Sequence, residues 1–384
     1  MNHQVSHTYL GGDPEAVSVP FNDLSIQWRE IAEDIRPHIE ALFVRGTFSQ
    51  GPDAEAFERD VGAYLDVPHA IGVNSGTSAL HLAVVAAGIG PGDDVLVPSH
   101  TFIATIWAVI YAGANPILCD VDAKTATIDI KDAERRLTAR TRAIIPVHLY
   151  GQPADMNAVA ELARKHGLAV IEDAAQSIGA RWDGRATGTL GSFGCYSFYP
   201  GKNLGAAGEA GLVVTHDDAS AAQVRALRSH GQSKRYVHTA IGFNYRMDSI
   251  QGLVLRYKLA KIDQWTNRRR EIAALYIDAL SGLPLEMPTI AHQDHVWHLF
   301  VVRTRQRDAL RNHLQQFRIE SGLHYPIPNH NQPCLSHLNV DRRTFPQSDR
   351  WASEGLSLPL FYGMTDMQVE RVSDAIRGFF KQSR

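Results

Sequence analysis

Lys202 lies in the run SFYPGKNLG (197–205), an apolar and aromatic stretch punctuated by Gly201 and Gly205. A lysine in a turn is ordinarily a surface residue. Here the flanks would hold its amine in a partly dry cleft. Desolvation disfavours the ammonium form and lowers the lysine pKa, which a lysine that forms a Schiff base requires. The Gly-Lys pair is not a phosphate-binding P-loop. No glycine stands in the upstream register, and Asn203 takes the place of the Ser/Thr that would hold magnesium. In IEDAAQ (171–176), Asp173 follows a β-rich run. Such a carboxylate either caps the next helix or faces the ring nitrogen of a cofactor and keeps it protonated. The two residues together, in this order, make a stronger signal than either alone. A third run, NSGTSAL (74–80), reads as a strand end, a glycine turn and a helix start rich in hydroxyls. It is either a Ser/Thr cap or a phosphate seat built from free amides and the positive end of the helix dipole. Ser197 adds a hydroxyl from the lysine side. Phe102 is either core or a ring that stacks on a flat ligand.

These residues need elements to position them. Short β-rich runs at 70–73, 95–97, 116–121, 142–147, 169–172, 195–198 and 212–214 alternate with helical patterns at 77–87, 102–112 and 154–166. Strands alternating with helices imply a mostly parallel sheet covered on both faces. Ligands of such sheets sit beyond the carboxyl ends of the strands, where Ser75, His148, Asp173 and Ser197 fall. The segment 248–280 has a long helical stripe, ended by Pro284 and Pro288. A strand at 296–302 and helices at 308–317 and 366–380 then read as a smaller α/β domain. The expected division is a flexible leader (1–18), a large domain (19–260) and a small C-terminal domain (261–384).

The 384 residues, 44% hydrophobic and 21% charged, suffice for a large core. Net charge is −3 and no basic block offers phosphate contacts, which argues against nucleic acid. Cys119, Cys195 and Cys334 form no CxxC pair, so neither a zinc ribbon nor a disulfide framework is expected, and a reducing, cytoplasmic compartment fits. No apolar run is long enough to span a bilayer, and no metal site is expected. The segment 88–92 (GIGPG) is a turn rather than a dinucleotide loop, because Pro91 and the strand after it break that pattern.

With these motifs in order, the chain resembles the DegT/DnrJ/EryC1/StrS family of sugar aminotransferases, pyridoxal-phosphate enzymes of fold type I. The likeness runs through NSGTSAL (74–80), PSHTFIAT (98–105), PVHLYGQPADM (146–156), EDAAQSIGA (172–180), SFYPGKNLGAAGEAG (197–211), GFNYRMD (242–248) and HYPIPNHNQP (324–333). It implies a seven-stranded, mostly parallel sheet sandwiched by helices. It implies that Lys202 carries pyridoxal 5'-phosphate and moves the proton, and that Asp173 pairs with the pyridine nitrogen. Gln176 then lies near the phenolic oxygen, Phe102 stacks on the ring, and Gly76, Thr77, Ser78 and Ser197 hold the phosphate. Asn244 reaches the phosphate from a neighbouring subunit, so a homodimer with shared sites is implied. Arg246, His324, Tyr325 and His330 are the implied substrate contacts.

A dehydratase branch of the family has histidine at the lysine position, so Lys202 favours transamination. The implied substrates are a keto sugar linked to dTDP or UDP, aminated at carbon 3, and an amino-acid donor, L-glutamate. GFNYRMD pulls toward the perosamine-type branch that aminates carbon 4. A free cyclitol or aminoglycoside precursor is a third substrate class. A catalytically silent regulator with the same fold stays open, although the joint presence of Lys202, Asp173, Gln176 and Asn244 argues against it.

Overall fold

The computed structural model describes residues 18–291, 294–338 and 340–382. Residues 1–17 of the expected leader lie outside that range.

Seven strands form the main sheet: β1 (His69–Val73), β2 (Asp94–Pro98), β3 (Asn115–Cys119), β4 (Thr141–Ile144), β5 (Ala169–Asp173), β6 (Phe193–Ser197) and β7 (Gly211–Thr215). Their spatial order is β1-β7-β6-β5-β4-β2-β3. All pairings are parallel except those of β7, which runs against both β6 and β1. The mostly parallel seven-stranded sheet expected from the sequence is present.

Side chains alternate across each strand, and both faces are apolar. Ile71, Val95, Val97, Ala143, Ile171, Cys195 and Val213 join one core, under the helices Gly76–Ala86, Ala104–Tyr111 and Asp218–Arg228. Their neighbours face the other way. Leu96, Ile144 and Val170 meet the helix Met156–His166. Ala70, Tyr196, Leu212 and Val214 meet the helices Pro52–Leu65 and Ser249–Leu259. Two covered faces explain why these strands read as continuous apolar runs.

Helix ends follow local chemistry. Asp155 accepts from the Ala158 N–H, and Gly167, at φ 64°, closes Met156–His166 in the left-handed region. The single helix expected over 248–280 is two, Ser249–Leu259 and Ile262–Ala279. No proline breaks it. The two halves bury against different bodies: Leu253 and Leu255 against the large core and its first helix, Ile272, Ala273 and Tyr276 against the C-terminal core. That second core collects Val19, Phe300, Val302, Leu310, Leu358 and Ile376 around an antiparallel pair, β8 (Phe300–Arg303) and β9 (Gly355–Leu358). The strand expected at 296–302 therefore starts later. Residues 296–299 run irregularly and turn their backbone toward the site.

Candidate active site

The carboxyl ends of β1, β5 and β6 open onto one cavity of about 910 Å³, with Lys202 in its wall. At the end of β1, Ser75 caps the helix Gly76–Ala86, its Oγ accepting from the Ser78 N–H at 3.1 Å. Gly76 and Thr77 of the first turn line the cavity. A Cβ on Gly76 would stand 2.6 Å from the Ser197 Cβ at the end of β6. Only glycine lets the helix start approach β6 so closely. Ser75, Gly76, Thr77 and Ser197 together line this end of the cavity, and such a set of hydroxyls at a helix N-terminus could hold a phosphate. Ser78 is not part of the wall. It is buried, and its hydroxyl lies 2.9 Å from that of Ser75.

Asp173 ends β5 at the floor. Its Oδ2 accepts from the Thr105 hydroxyl at 2.8 Å and its Oδ1 from the Ala175 N–H at 3.2 Å. Burial pushes its carboxyl above the usual range. Thr105, Ala175, Lys202 and His148 each pull the other way. Behind it, Glu172 is fully buried and accepts from the N–H groups of Gly188, Leu190 and Gly191. Nδ1 of His148 accepts from the Ala154 N–H, so Nε2 carries the proton and donates to Glu172 at 2.9 Å. This satisfied cluster holds the turn that sets Asp173.

Lys202 lies in a tight loop, where a Cβ on Gly205 would meet the Pro200 carbonyl oxygen at 2.2 Å. Burial pulls its amine down to about 8, against the attraction of Asp173. The expected desolvated lysine is therefore in place. Phe102 is 51% exposed and offers its ring to the cavity, 5.6 Å from that of Tyr325. Gln176 accepts from the Tyr150 N–H at 2.6 Å and donates to the Tyr325 hydroxyl at 3.2 Å. His324 stacks on Phe21 with centroids 5.7 Å apart and bonds the Ser357 hydroxyl. Burial and the Lys202 charge hold it at about 4, so its ring is neutral.

The architecture and the motifs have counterparts in known proteins. A family model described as the DegT/DnrJ/EryC1/StrS aminotransferase family matches residues 29–377. The chain belongs to the DegT/DnrJ/EryC1/StrS aminotransferase family. It is similar to the dTDP-3-amino-3,4,6-trideoxy-alpha-D-glucose transaminase of Streptomyces venezuelae, at 44% identity over 94% of this chain and 96% of that one. It is also similar to a UDP-N-acetyl-3-dehydro-alpha-D-glucosamine 3-aminotransferase of Acidithiobacillus ferrooxidans, at 41% identity over 94% and 97%. Among solved structures, the S. venezuelae DesV enzyme, captured with a ketimine intermediate, superposes with a TM-score of 0.93 over 95% of this chain and 99% of that one.

This aminotransferase uses pyridoxal 5'-phosphate, the cofactor of its family. The donor set of this chain suits it. An amine that is half neutral near pH 8 stands with a buried carboxylate at the floor and a glycine-cleared anion seat at one end. Among the described residues no group of three or more His, Cys, Asp or Glu could hold a metal ion.

Of the residues singled out in the sequence, Lys202, Asp173, Gln176, Gly76, Thr77, Ser197, Phe102, His324 and Tyr325 line this cavity. His330 does not. It is 3% exposed, bonded to Ser99 and Asp349 and stacked on Phe345, so it braces the fold under β2. Asn244 and Arg246 lie outside the wall, on a segment bridged to Ser229 and Val73. Among the wall and support residues not singled out are Thr105, Glu209, Arg269 and His298. Thr105 falls within PSHTFIAT, which the sequence reading quotes without giving it a role. Glu209 falls within SFYPGKNLGAAGEAG, likewise quoted without a role for it, and Arg269 and His298 carry no local signal.

Proposed function

We propose that this enzyme moves an amino group from L-glutamate to carbon 3 of a keto sugar carried by dTDP or UDP. The observation that carries the reading is that Lys202 and Asp173, each acting on the other's charge, line one cavity together with Gly76, Thr77 and Ser197. The named substrates of the S. venezuelae and A. ferrooxidans relatives support carbon 3 and a nucleotide carrier. Pyridoxal phosphate, when bound, supplies a carbonyl that takes the amino group and a charged ring that draws electrons from the reacting carbon.

The rest falls to the chain. Gly76, Thr77 and Ser197 hold the phosphate through amides and hydroxyls. Asp173, ionised, keeps the ring-nitrogen proton in place, and Thr105 and the Ala175 N–H orient its oxygens. Phe102 would cover one ring face, and the Gln176 amide would stand near the phenolic oxygen. Lys202 Nζ would hold the cofactor. Once free, that amine would take the proton from the donor's α-carbon and deliver it to the carbon on the far side of the reacting nitrogen. An amine pulled down to about 8 serves both directions near neutral pH. His324 and Tyr325 face the sugar.

The reading includes a homodimer in which the partner's Asn244 completes the phosphate seat, in keeping with the position of Asn244 outside this chain's own cavity. Three free cysteines, two of them buried, fit a cytoplasmic location. Among the described residues no helix is long and apolar enough to cross a membrane. A panel of keto nucleotide sugars and free cyclitol ketones, each mixed with the amino form of the enzyme and followed by cofactor absorbance, tests the substrate class. NMR of the product locates the new amine. Faster turnover of a free ketone, or an amine at carbon 4, would overturn the corresponding part.

A further inference from the structure

Arg269, on the helix Ile262–Ala279, is 3% exposed and lines the same cavity as Lys202. One of its terminal nitrogens, Nη1, donates to three carbonyl oxygens: Trp297 at 3.0 Å, His298 at 3.4 Å and Leu360 at 3.0 Å. Its Nε and Nη2 bond no described residue, yet they are not among the buried polar atoms left without a partner. They therefore keep accessible surface, and Arg269 is a wall residue of the cavity. Among the described residues no carboxylate acts on this cation. Burial alone lowers its pKa, to about 10, so it stays charged at neutral pH. Buried arginines without an anion are rare, because the charge has lost its water. Carbonyls compensate one nitrogen and leave the fork, Nε with Nη2, open.

We infer that this open edge of Arg269 binds a carboxylate of the amino-acid donor. The inference rests on the aminotransferase reading and does not depend on the sugar. A guanidinium edge presents two parallel N–H groups, which match the two oxygens of one planar carboxylate. The diphosphate of a nucleotide spreads its charge over two tetrahedra and would need further cations. Besides Arg269, the basic wall residues among the described residues are Lys202, which the cofactor engages, and His298 and His324, which burial keeps neutral. Arg246, the guanidinium that the sequence brought forward, is not in the wall. Arg269 also grips the His298 carbonyl, so the anion site and the segment beside Lys202 form one rigid unit.

The experiment uses holoenzyme and separates the donor from the sugar. Calorimetry measures the binding of glutarate, which has carboxylates and no amine to react, and of UDP. The donor half-reaction is followed with glutamate alone. In Arg269→Met, glutarate and glutamate should bind about 10- to 100-fold more weakly, the weight of a charge-assisted bond, while UDP binding stays unchanged. Arg269→Lys, which keeps the charge and loses the fork, should fall in between. Added guanidinium should restore glutarate binding to Arg269→Ala. Equal binding of glutarate by wild type and Arg269→Met, or a loss confined to UDP, would overturn the inference. Should the variants not fold, wild type decides: glutarate must bind better than neutral glutaramide, and equal affinity counts against Arg269. A wild-type enzyme that binds glutarate as expected but aminates no nucleotide sugar would sink the proposed substrate and leave this inference standing.

Discussion

Lys202 and Asp173 are shifted in opposite directions by the same cause. Burial favours the uncharged form of each, lowering the amine and raising the carboxyl. Capture of added pyridoxal phosphate by cofactor-free protein needs the neutral amine, so its rate should climb as pH rises through about 8 and then level. Stopped-flow absorbance checks this, and an unchanged rate across that range would contradict the assignment. Lys202→Ala should lower turnover by at least ~10²–10⁴-fold, the usual weight of general acid–base work, and lose the absorption band of the lysine-bound cofactor. For Asp173 the sign is the reverse. Its carboxyl takes up a proton at higher pH than an ordinary aspartate, and in the proposed role only the ionised form would pair with the ring nitrogen. Cofactor affinity should therefore weaken on acidification, sooner than an unshifted carboxylate would allow. Asp173→Asn should remove that acid limb and lower turnover more than cofactor affinity, which equilibrium dialysis and kinetics together can show.

At the scale of elements, the site depends on how closely two strand ends approach. The Gly76–Ser197 contact leaves no space for a side chain. Gly76→Ala should push the helix Gly76–Ala86 away from β6 and weaken cofactor binding at least tenfold, by about 1.4 kcal/mol or more, with a smaller loss in thermal stability. Equal losses in both would mean that the glycine serves packing alone. Glu172 makes the opposite case. It touches no cavity atom, but it satisfies three N–H groups and His148 in a dry interior. Glu172→Ala should cost about 3–5 kcal/mol of stability, because it leaves several buried donors unmatched. Chemical denaturation measures this directly.

For the whole molecule, the test is whether two chains share a site. Asn244 is exposed and stands apart from its own chain's cavity. If the partner supplies it, mixing inactive Lys202→Ala with inactive Asn244→Asp and letting subunits exchange rebuilds one intact site in each mixed dimer. Roughly a quarter of wild-type activity should return, since half the dimers are mixed and each has one of two sites intact. No recovery after proven exchange would place Asn244 in its own chain's site or outside any.

Much of this molecule is written in local order. A strand buried on both faces must be apolar throughout, and a helix must start with a cap and end where its backbone can turn. The alternation of elements, the position of Asp173 at a strand end and the dry surroundings of Lys202 were therefore legible from neighbouring residues alone. What tertiary structure decided are the meetings between distant parts. Thr105 bonds Asp173 across 68 residues. Ser78 and His330 look like site residues in their motifs, yet packing gives their polar atoms to Ser75, Ser99 and Asp349. Arg269 sits in an unremarkable run of three arginines, and only the packing of its helix against residues 297, 298 and 360 brings it to the cavity, with no counter-ion among the described residues. Periodicity and capping act within a few residues, whereas the partner of a buried polar group is settled by which surfaces close on each other.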